Sequence, residues 1–416
     1  MLDTDRDLLL RLLALPTAGP LEAGHDAPVR LWEAQHEYAR AASAFGMTTV
    51  HHAPVTAAAL ACDDVPLAVR SAAATPGFLD AQPSLVLRLG PALPVSATVM
   101  FNVHLDTVSG HEPVTFDGTR FTGRGAIDAK GPAVAVLAGV RAAAAAHPAI
   151  GRDVAVLVQA VSGEEGGAMG TIGTRPLVAA GWYGRLNVFC EPTGLRYLPR
   201  ATAAMTACVR VDGDGAIDDR PETGHNATVL LGFLAQHLGY ALAGEGVCVA
   251  GLHTGRMHNR VYGTGRLLLN IGYATPESGA RRERALRAAL DEGLAAFTAR
   301  FGGVREFART ATDATKITTL EWHKRGLPTL TGCPPWCTDL FAEAGIARWP
   351  ADEPAFTCDA IWLHDRPGTA TVVLGPGSLS DNNAHACGEY ADLADLERFA
   401  AAVTTTLHTF AAKGQP

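Results

Sequence analysis

The chain has 416 residues, of which 48% are hydrophobic and 18% are charged. This composition is typical of a folded globular protein and excludes a disordered one, and the length allows two domains, each with its own core. The formal net charge of −8 and the lack of a basic run give no reason to expect nucleic acid as a partner. A small anionic or zwitterionic substrate is compatible with this charge.

The first predicted element is an amphipathic helix from Asp3 to Leu15, which ends at Pro16. It lacks the basic-then-apolar order of a signal peptide, and no apolar stretch of the chain is long enough to span a bilayer. We therefore expect a cytoplasmic protein without a membrane partner, and the eight scattered cysteines fit a reducing compartment. Cys333 and Cys337 have a spacing that could support a metal or redox pair, but the two prolines between them favour a structural turn.

Residues that can bind a metal ion follow five predicted strands or strand–helix junctions. They are His104, Asp128, Glu165, Glu191 and His385. Because α/β proteins often place their chemistry at strand ends, we expect these side chains to meet in one pocket. Two histidines and several carboxylates without a thiolate suit Zn²⁺, Co²⁺ or Mn²⁺ in a hydrolytic site better than a structural zinc site. The set exceeds the needs of one ion, which favours two metal ions that share one bridging carboxylate.

Two further carboxylates belong to the same motifs. Glu164 precedes Glu165 after the apolar run 154–158, which is predicted to be a buried strand. Alternation would point the two side chains in different directions, so that one can hold a metal while Glu164 stays free to move protons. Taken alone, such a pair is more often solvated charge on a loop. Asp106 lies two residues after His104, where it could orient the imidazole or bind the metal itself.

These blocks resemble the aminoacylase, acetylornithine deacetylase, succinyl-diaminopimelate desuccinylase and carboxypeptidase G family of dinuclear zinc hydrolases. They occur in the order of that family along nearly the whole chain. The resemblance implies an α/β fold, in which a zinc-peptidase-like catalytic domain has a mixed central sheet flanked by helices. It also implies an inserted α+β lid domain that is used for dimerisation.

The resemblance assigns roles to single residues. One metal would be held by His104, Asp128 and Glu191, and the second by Asp128, Glu165 and His385. Asp106 would orient His104, and Glu164 would be the general base. Glu191-Pro192-Thr193 and Gly375-Pro376-Gly377-Ser378 are particularly close to the deacetylase branch, and Gly375 is a candidate for substrate binding.

The pattern of predicted elements changes after Glu191, where the order strand–helix–strand–helix predicts a compact α+β unit. We expect the catalytic domain to comprise residues 1–201 and 310–416. The lid would be the insertion between them, residues 202–309.

Two positions in the predicted lid depart from the family pattern. Ile217 stands where family members carry a histidine that stabilises the oxyanion in the active site of the neighbouring subunit. Gly272 stands where the family usually has an arginine that helps to hold a substrate carboxylate. An isoleucine cannot donate a hydrogen bond, so another group replaces the histidine or the reaction differs.

Three lid residues are candidates for the lost contacts. His225 is the nearest histidine, although a surface or core role is the alternative. Asn259 matches the lid asparagine of the family, and Arg260 beside it could replace the missing positive charge.

We expect a metal-dependent hydrolase of the deacetylase or deacylase type, which cleaves an amide bond in a small N-acyl amino acid or dipeptide-like substrate. It would bind two divalent metal ions per chain, with zinc as the expected metal, and form a homodimer through the lid. One alternative keeps the metals for a non-hydrolytic condensation, cyclisation or acyl transfer in specialised metabolism. Another is a metal-binding protein without turnover, against which the presence of Glu164 argues, because a binding-only site needs no base.

Overall fold

The computed structural model describes residues 1–24, 27–62, 64–110 and 112–413. The chain divides into two compact units. The core unit comprises Met1–Ala201 and Thr329–Pro416, and the inserted unit comprises Thr202–Pro328.

Within these ranges the strands are β1 Thr48–Pro54, β2 Pro83–Leu89, β3 Thr98–His104, β4 Thr115–Phe116, β5 Arg120–Thr122, β6 Ala155–Val161, β7 Leu186–Phe189, β8 Ala203–Asp212, β9 Ala216–Ile217, β10 Val247–His253, β11 Arg260–Val261, β12 Thr264–Tyr273, β13 Thr318–Lys324, β14 Ala370–Val373 and β15 Tyr390–Asp392. The helices are α1 Asp3–Ala14, α2 Pro20–Ala23, α3 Leu31–Ser43, α4 Leu67–Ala73, α5 Lys130–Ala146, α6 Thr174–Ala179, α7 Ala227–Ala241, α8 Pro276–Phe301, α9 Ala308–Ile317, α10 Pro335–Glu343 and α11 Leu393–Ala412. None of these helices combines the length and the apolar character needed to cross a membrane.

A mixed six-stranded sheet forms the centre of the core unit, in the order β1-β2-β6-β3-β7-β14. The strands β6, β3, β7 and β14 are parallel, whereas β1 and β2 are antiparallel to their neighbours. Every residue of β3 and β6 is buried, which explains why both strands read as continuous apolar runs. The helices flank this sheet, so the predicted fold class is confirmed. The carboxyl ends of the four parallel strands lie along one edge, where α/β proteins bind ligands.

Helices α5 and α11 pack closely in the core unit. A Cβ atom added to Gly139 of α5 would lie 2.6 Å from the carbonyl oxygen of Ala400 in α11. Only glycine permits this approach of the two backbones. At the start of α10, the N–H of Cys337 donates to the carbonyl of Pro334 at 3.0 Å. Cys333 and Cys337 are both free thiols that flank this turn.

The inserted unit is built on an antiparallel four-stranded sheet in the order β10-β12-β8-β13. Helices α7 and α8 pack on each other and against the sheet through leucines and phenylalanines of their buried faces. Thr275 caps the amino end of α8 and accepts a hydrogen bond from the N–H of Ser278 at 3.1 Å. A two-stranded ribbon pairs β9 with β11 and places Ile217 opposite Arg260.

The inserted unit extends past residue 309, where the sequence pattern predicted its end. Helix α9 packs against α8, and β13 pairs with β8 along its length, so both elements belong to the inserted unit. The chain returns to the core unit at Thr329.

Candidate metal centre

The carboxyl edge of the central sheet brings the five predicted metal ligands together. His104 is the last residue of β3, and Glu191 follows two residues after β7. The five side chains form two groups, and within each group the ligand atoms lie within 4.8 Å of one another. The groups are His104, Asp128 and Glu191, and Asp128, Glu165 and His385. Asp128 belongs to both.

Asp128 lies between two imidazole rings. Its Oδ1 is 2.9 Å from Nε2 of His104, and its Oδ2 is 3.0 Å from Nε2 of His385. Nε2 of His385 is also 2.9 Å from Oε1 of Glu165, and Nε2 of His104 is 3.7 Å from Oε1 of Glu191. Each oxygen of the Asp128 carboxylate therefore faces a different half of the cluster, which is the arrangement of a bridging ligand.

The charges in this pocket favour bound cations. Burial raises the pKa of Glu191 to about 8, and burial followed by the charge of Glu191 raises the pKa of Glu164 well above its ordinary value. Burial also opposes ionisation of Asp128, but hydrogen bonds from His104 and His385 outweigh it and lower the Asp128 pKa. Carboxylates crowded in a buried pocket repel one another, and divalent cations would relieve that repulsion. Oxygen and imidazole donors without a thiolate fit Zn²⁺, Co²⁺ or Mn²⁺ in a two-metal site.

Glu164 lies beside both halves of the cluster. One of its carboxylate oxygens is within 4.8 Å of ligand atoms on His104 and on Glu165. Glu164 lies three residues after the end of β6 and is half-buried as a residue, whereas Glu165 is buried. A carboxylate in this position can reach a water molecule or substrate held at the cluster.

Asp106 supports the centre through its backbone and its side chain. The backbone carbonyl of Asp106 lies 2.9 Å from Nδ1 of His104, whereas the Asp106 carboxylate is 3.9 Å from that nitrogen. Oδ2 of the carboxylate instead accepts the N–H groups of Gly163 and Glu165, at 3.0 and 3.2 Å. Asp106 thus orients His104 from the main chain and fixes the loop that carries Glu164 and Glu165.

The sequence patterns missed Glu389, which holds the loop that carries Asp128. Its side chain is 1% exposed and accepts a hydrogen bond from Nη1 of Arg124 at 2.8 Å. It also accepts the N–H groups of Gly125, Ile127 and Asp128 at 3.0 to 3.2 Å. A single glutamate before β15 gives no periodic signal. The three N–H groups of a glycine-rich loop that need an acceptor were the only hint.

Replacing Glu389 by alanine should leave Nη1 of Arg124 and the three loop N–H groups buried without their acceptor, whereas Nη2 of Arg124 keeps the carbonyl of Ala386. We expect a loss of about 3–5 kcal/mol in the free energy of unfolding, because removing one partner of a buried ion pair carries that cost. Urea unfolding would measure it. Asp392→Ala is the matched control, since it breaks a half-exposed pair with Arg120 and should cost about 0–1 kcal/mol. Equal stability of the two variants would contradict this role for Glu389.

A second buried carboxylate near the centre, Asp359, was also missed. It is 1% exposed and accepts a hydrogen bond from Oγ1 of Thr174 at 2.6 Å. Burial raises the pKa of Asp359 to about 7. A Cβ atom on Gly170 would lie 2.4 Å from this carboxylate, so the glycine makes room for it.

Gly375 lets two strand ends meet beside Glu191. A Cβ atom at this position would lie 2.4 Å from the carbonyl oxygen of Glu191. The N–H of Gly375 donates to Oγ1 of Thr193 at 3.0 Å. The structure therefore gives Gly375 a packing role next to Glu191, and a substrate contact there stays a prediction.

The candidate residues of the inserted unit have different environments. His225 is 4% exposed. Its Nδ1 accepts the N–H of Asp214 at 2.8 Å, and its Nε2 lies 3.4 Å from Oδ2 of Asp313. This geometry matches the core role for His225. Asn259 and Arg260 are exposed.

Packing does not require the residue types found at the two positions that depart from the family pattern. Ile217 is 58% exposed, and a Cβ atom on Gly272 would meet open space. A larger residue at position 272 would therefore meet no neighbouring atom at its Cβ.

Comparisons with known proteins give the family of this chain. The model of peptidase family M20/M25/M40 matches residues 100–409. A curated protein of Aeropyrum pernix, assigned as a LysW-lysine/LysW-ornithine hydrolase, is 36% identical over 137 residues. That match spans 28% of this chain and only 37% of the relative.

Solved structures share the fold across the full length. A tripeptidase of Staphylococcus aureus superposes with a TM-score of 0.68 at 15% identity, covering 99% of this chain and 98% of the other. A dinuclear metal-binding peptidase of Bacillus subtilis superposes with a TM-score of 0.63 at 10% identity, covering 99% and 98%. The predicted resemblance is confirmed, and the chain belongs to peptidase family M20/M25/M40, a family of metal-dependent hydrolases that act on amide bonds.

Proposed function

We propose that this protein uses two divalent metal ions, with zinc as the expected metal, to hydrolyse the amide bond of a small N-acyl amino acid or dipeptide-like substrate. The observation that carries the proposal is the carboxylate of Glu164 beside a cluster whose two halves share Asp128. Two-metal hydrolases use a general base next to the metal cluster, whereas a protein that only binds metal needs no such base.

The residues divide the work as follows. One ion would be held by His104, Asp128 and Glu191, and the other by Asp128, Glu165 and His385. When bound, such ions lower the pKa of water and polarise a carbonyl group. Glu164 takes the proton from the attacking water and gives it to the departing amine. Burial raises the pKa of the Glu164 carboxyl, which makes its carboxylate a stronger base than that of an exposed glutamate.

Family membership favours hydrolysis over condensation, cyclisation or acyl transfer. The identity of the acyl group and of the amine in the substrate has to be found by experiment. The relative from Aeropyrum pernix suggests that lysine and ornithine derivatives belong among the compounds to be tried. Because that match spans about a third of the relative, it selects test compounds and does not assign the substrate.

A substrate screen tests the proposal. N-acetyl, N-succinyl and N-formyl amino acids, including those of lysine and ornithine, and a set of dipeptides would be incubated with protein and added Zn²⁺, Co²⁺ or Mn²⁺. We expect release of free amine from at least one compound by the wild-type protein and none by Glu164→Gln. If the wild-type protein released no free amine from any compound of the panel, the result would contradict the proposal and favour the non-hydrolytic alternative.

Ile217→His tests the departure in the predicted lid. Because Ile217 is exposed, the change should leave the free energy of unfolding within about 0.5 kcal/mol of wild type. If the position faces the oxyanion, the new donor should raise kcat/KM on N-acetyl amino acids, by up to roughly a hundredfold. Steady-state kinetics would measure the gain, with Ile217→Gln as the control for size and polarity. An unchanged kcat/KM would mean that position 217 does not serve the reaction.

The inserted unit is proposed to be the lid through which two chains form a homodimer. The exposed Ile217, Val249, Leu252 and Met257 give this unit apolar surface that an interface could cover. Sedimentation equilibrium should give twice the chain mass of 43.4 kDa. A monomer at micromolar concentration would contradict this assembly.

A further inference from the structure

A second set of metal-binding side chains lies on the sheet of the inserted unit. The ligand atoms of Cys208, Glu321 and His323 are within 4.8 Å of one another. We propose that this sheet cluster binds a single Zn²⁺ ion, separately from the two-metal centre of the core unit.

The strand register places the three side chains together. Cys208 of β8 is paired directly with Glu321 of β13, so both side chains project from the same face of the sheet. His323 lies two residues after Glu321, where the register shifts between Trp322 and Lys324. Such irregularities re-aim a side chain, and Nε2 of His323 lies 3.8 Å from Oε2 of Glu321.

The donor set is one that zinc accepts. A thiolate, an imidazole and a carboxylate are the usual zinc donors, and three protein ligands leave a fourth position for water. Donor atoms around a tetrahedral zinc ion are about 3.3–3.8 Å apart, given bond lengths of about 2.0–2.3 Å. The distance between His323 and Glu321 already falls in this range. Cys208 and Glu321 are paired across two neighbouring strands, which fixes the backbones of two of the three ligands.

Two neighbouring interactions leave the sheet cluster free to bind an ion. Nη1 of Arg210 is 3.6 Å from Oε1 of Glu321, a long contact between half-exposed groups. Nη2 of Arg210 is 3.1 Å from Oδ2 of Asp212, so Arg210 keeps a partner when Glu321 turns towards a metal. Burial, and then the charge of Glu321, raise the pKa of Cys208. A cation beside the sulfur would reverse that effect, because a coordinating thiol loses its proton.

Cobalt distinguishes the sheet cluster from the two-metal centre. A bound Co²⁺ ion gives a near-ultraviolet charge-transfer absorption only when a thiolate is among its ligands, and the ligand set of the core unit has none. Full-length Asp128→Ala protein, whose two-metal centre is disabled, would be titrated with Co²⁺. We expect the thiolate band to saturate at one equivalent and to be displaced by Zn²⁺.

Variants in the same Asp128→Ala background assign the band. Cys208→Ser should abolish it, and His323→Ala should weaken Co²⁺ binding at least tenfold. Cys248→Ser, which changes an exposed cysteine of the same unit, should leave it unchanged. Hydrolysis by the Cys208→Ser single variant should equal that of wild type, so this proposal and the proposed function can fail separately.

Three results would overturn the inference. They are the absence of a thiolate band, a band that survives Cys208→Ser, and a band that disappears with Cys333→Ser instead. If Cys208→Ser does not fold, the half-exposed His323→Ala decides the question, since unchanged Co²⁺ affinity in that variant would also contradict the site.

Discussion

Glu164→Gln should abolish turnover while the bound metal stays close to the wild-type amount. Glutamine keeps the size and a carbonyl oxygen of the side chain but cannot accept the proton of the attacking water. General-base catalysis typically contributes about 10²–10⁴-fold, so kcat should fall by at least that factor. Steady-state kinetics and elemental analysis of the same preparation would measure both quantities.

Glu165→Gln is the matched variant, because it makes the same chemical change one residue along the chain. Glu165 lies 2.9 Å from His385 and within the group that contains Asp128. We therefore expect this variant to lose metal, and to lose activity as a consequence. Equal loss of metal in both variants would show that Glu164 is a ligand and that the base has to be sought elsewhere.

Asp128→Ala should remove both metal ions of the core unit together. Its two carboxylate oxygens face different histidines, at 2.9 and 3.0 Å, so each half of the cluster loses one ligand. Elemental analysis should show two equivalents fewer than in wild type, and hydrolysis should fall to the background rate.

An exposed aspartate provides the control for that variant. Asp153 is paired with Arg152 at the surface, and Asp153→Ala should retain both ions and full activity. If Asp128→Ala kept one tightly bound ion of the core unit, the bridging assignment would be wrong.

Local patterns were enough to predict that the candidate ligands meet, but not which residues support them. His104 and Glu191 follow short apolar runs, and a parallel sheet brings such strand ends to one edge, so their meeting could be predicted. Glu389 acts across more than 260 residues of chain and has no neighbours that mark it. The carboxylate of Asp106 was predicted to face His104, but it accepts loop N–H groups, because the backbone carbonyl already occupies the imidazole nitrogen.

The end of the inserted unit could not be predicted for a related reason. The predicted boundary at residue 309 leaves β13 in the catalytic domain. The pairing of β13 with β8 is a long-range choice that the local pattern of β13 does not encode, since most of its residues are only half-buried. His225 likewise carried no sign of its hydrogen bond to Asp214, which forms only when the turn around it folds.

Zinc titration of the metal-free protein tests the two-metal hydrolase most directly. Hydrolysis of the best compound in the screen and bound zinc would be followed together in wild type and in Asp128→Ala. We expect no hydrolysis without metal, and a rate that reaches its plateau when wild type holds two equivalents of zinc more than Asp128→Ala. Full activity of the metal-free protein, or equal zinc content of the two proteins, would contradict it.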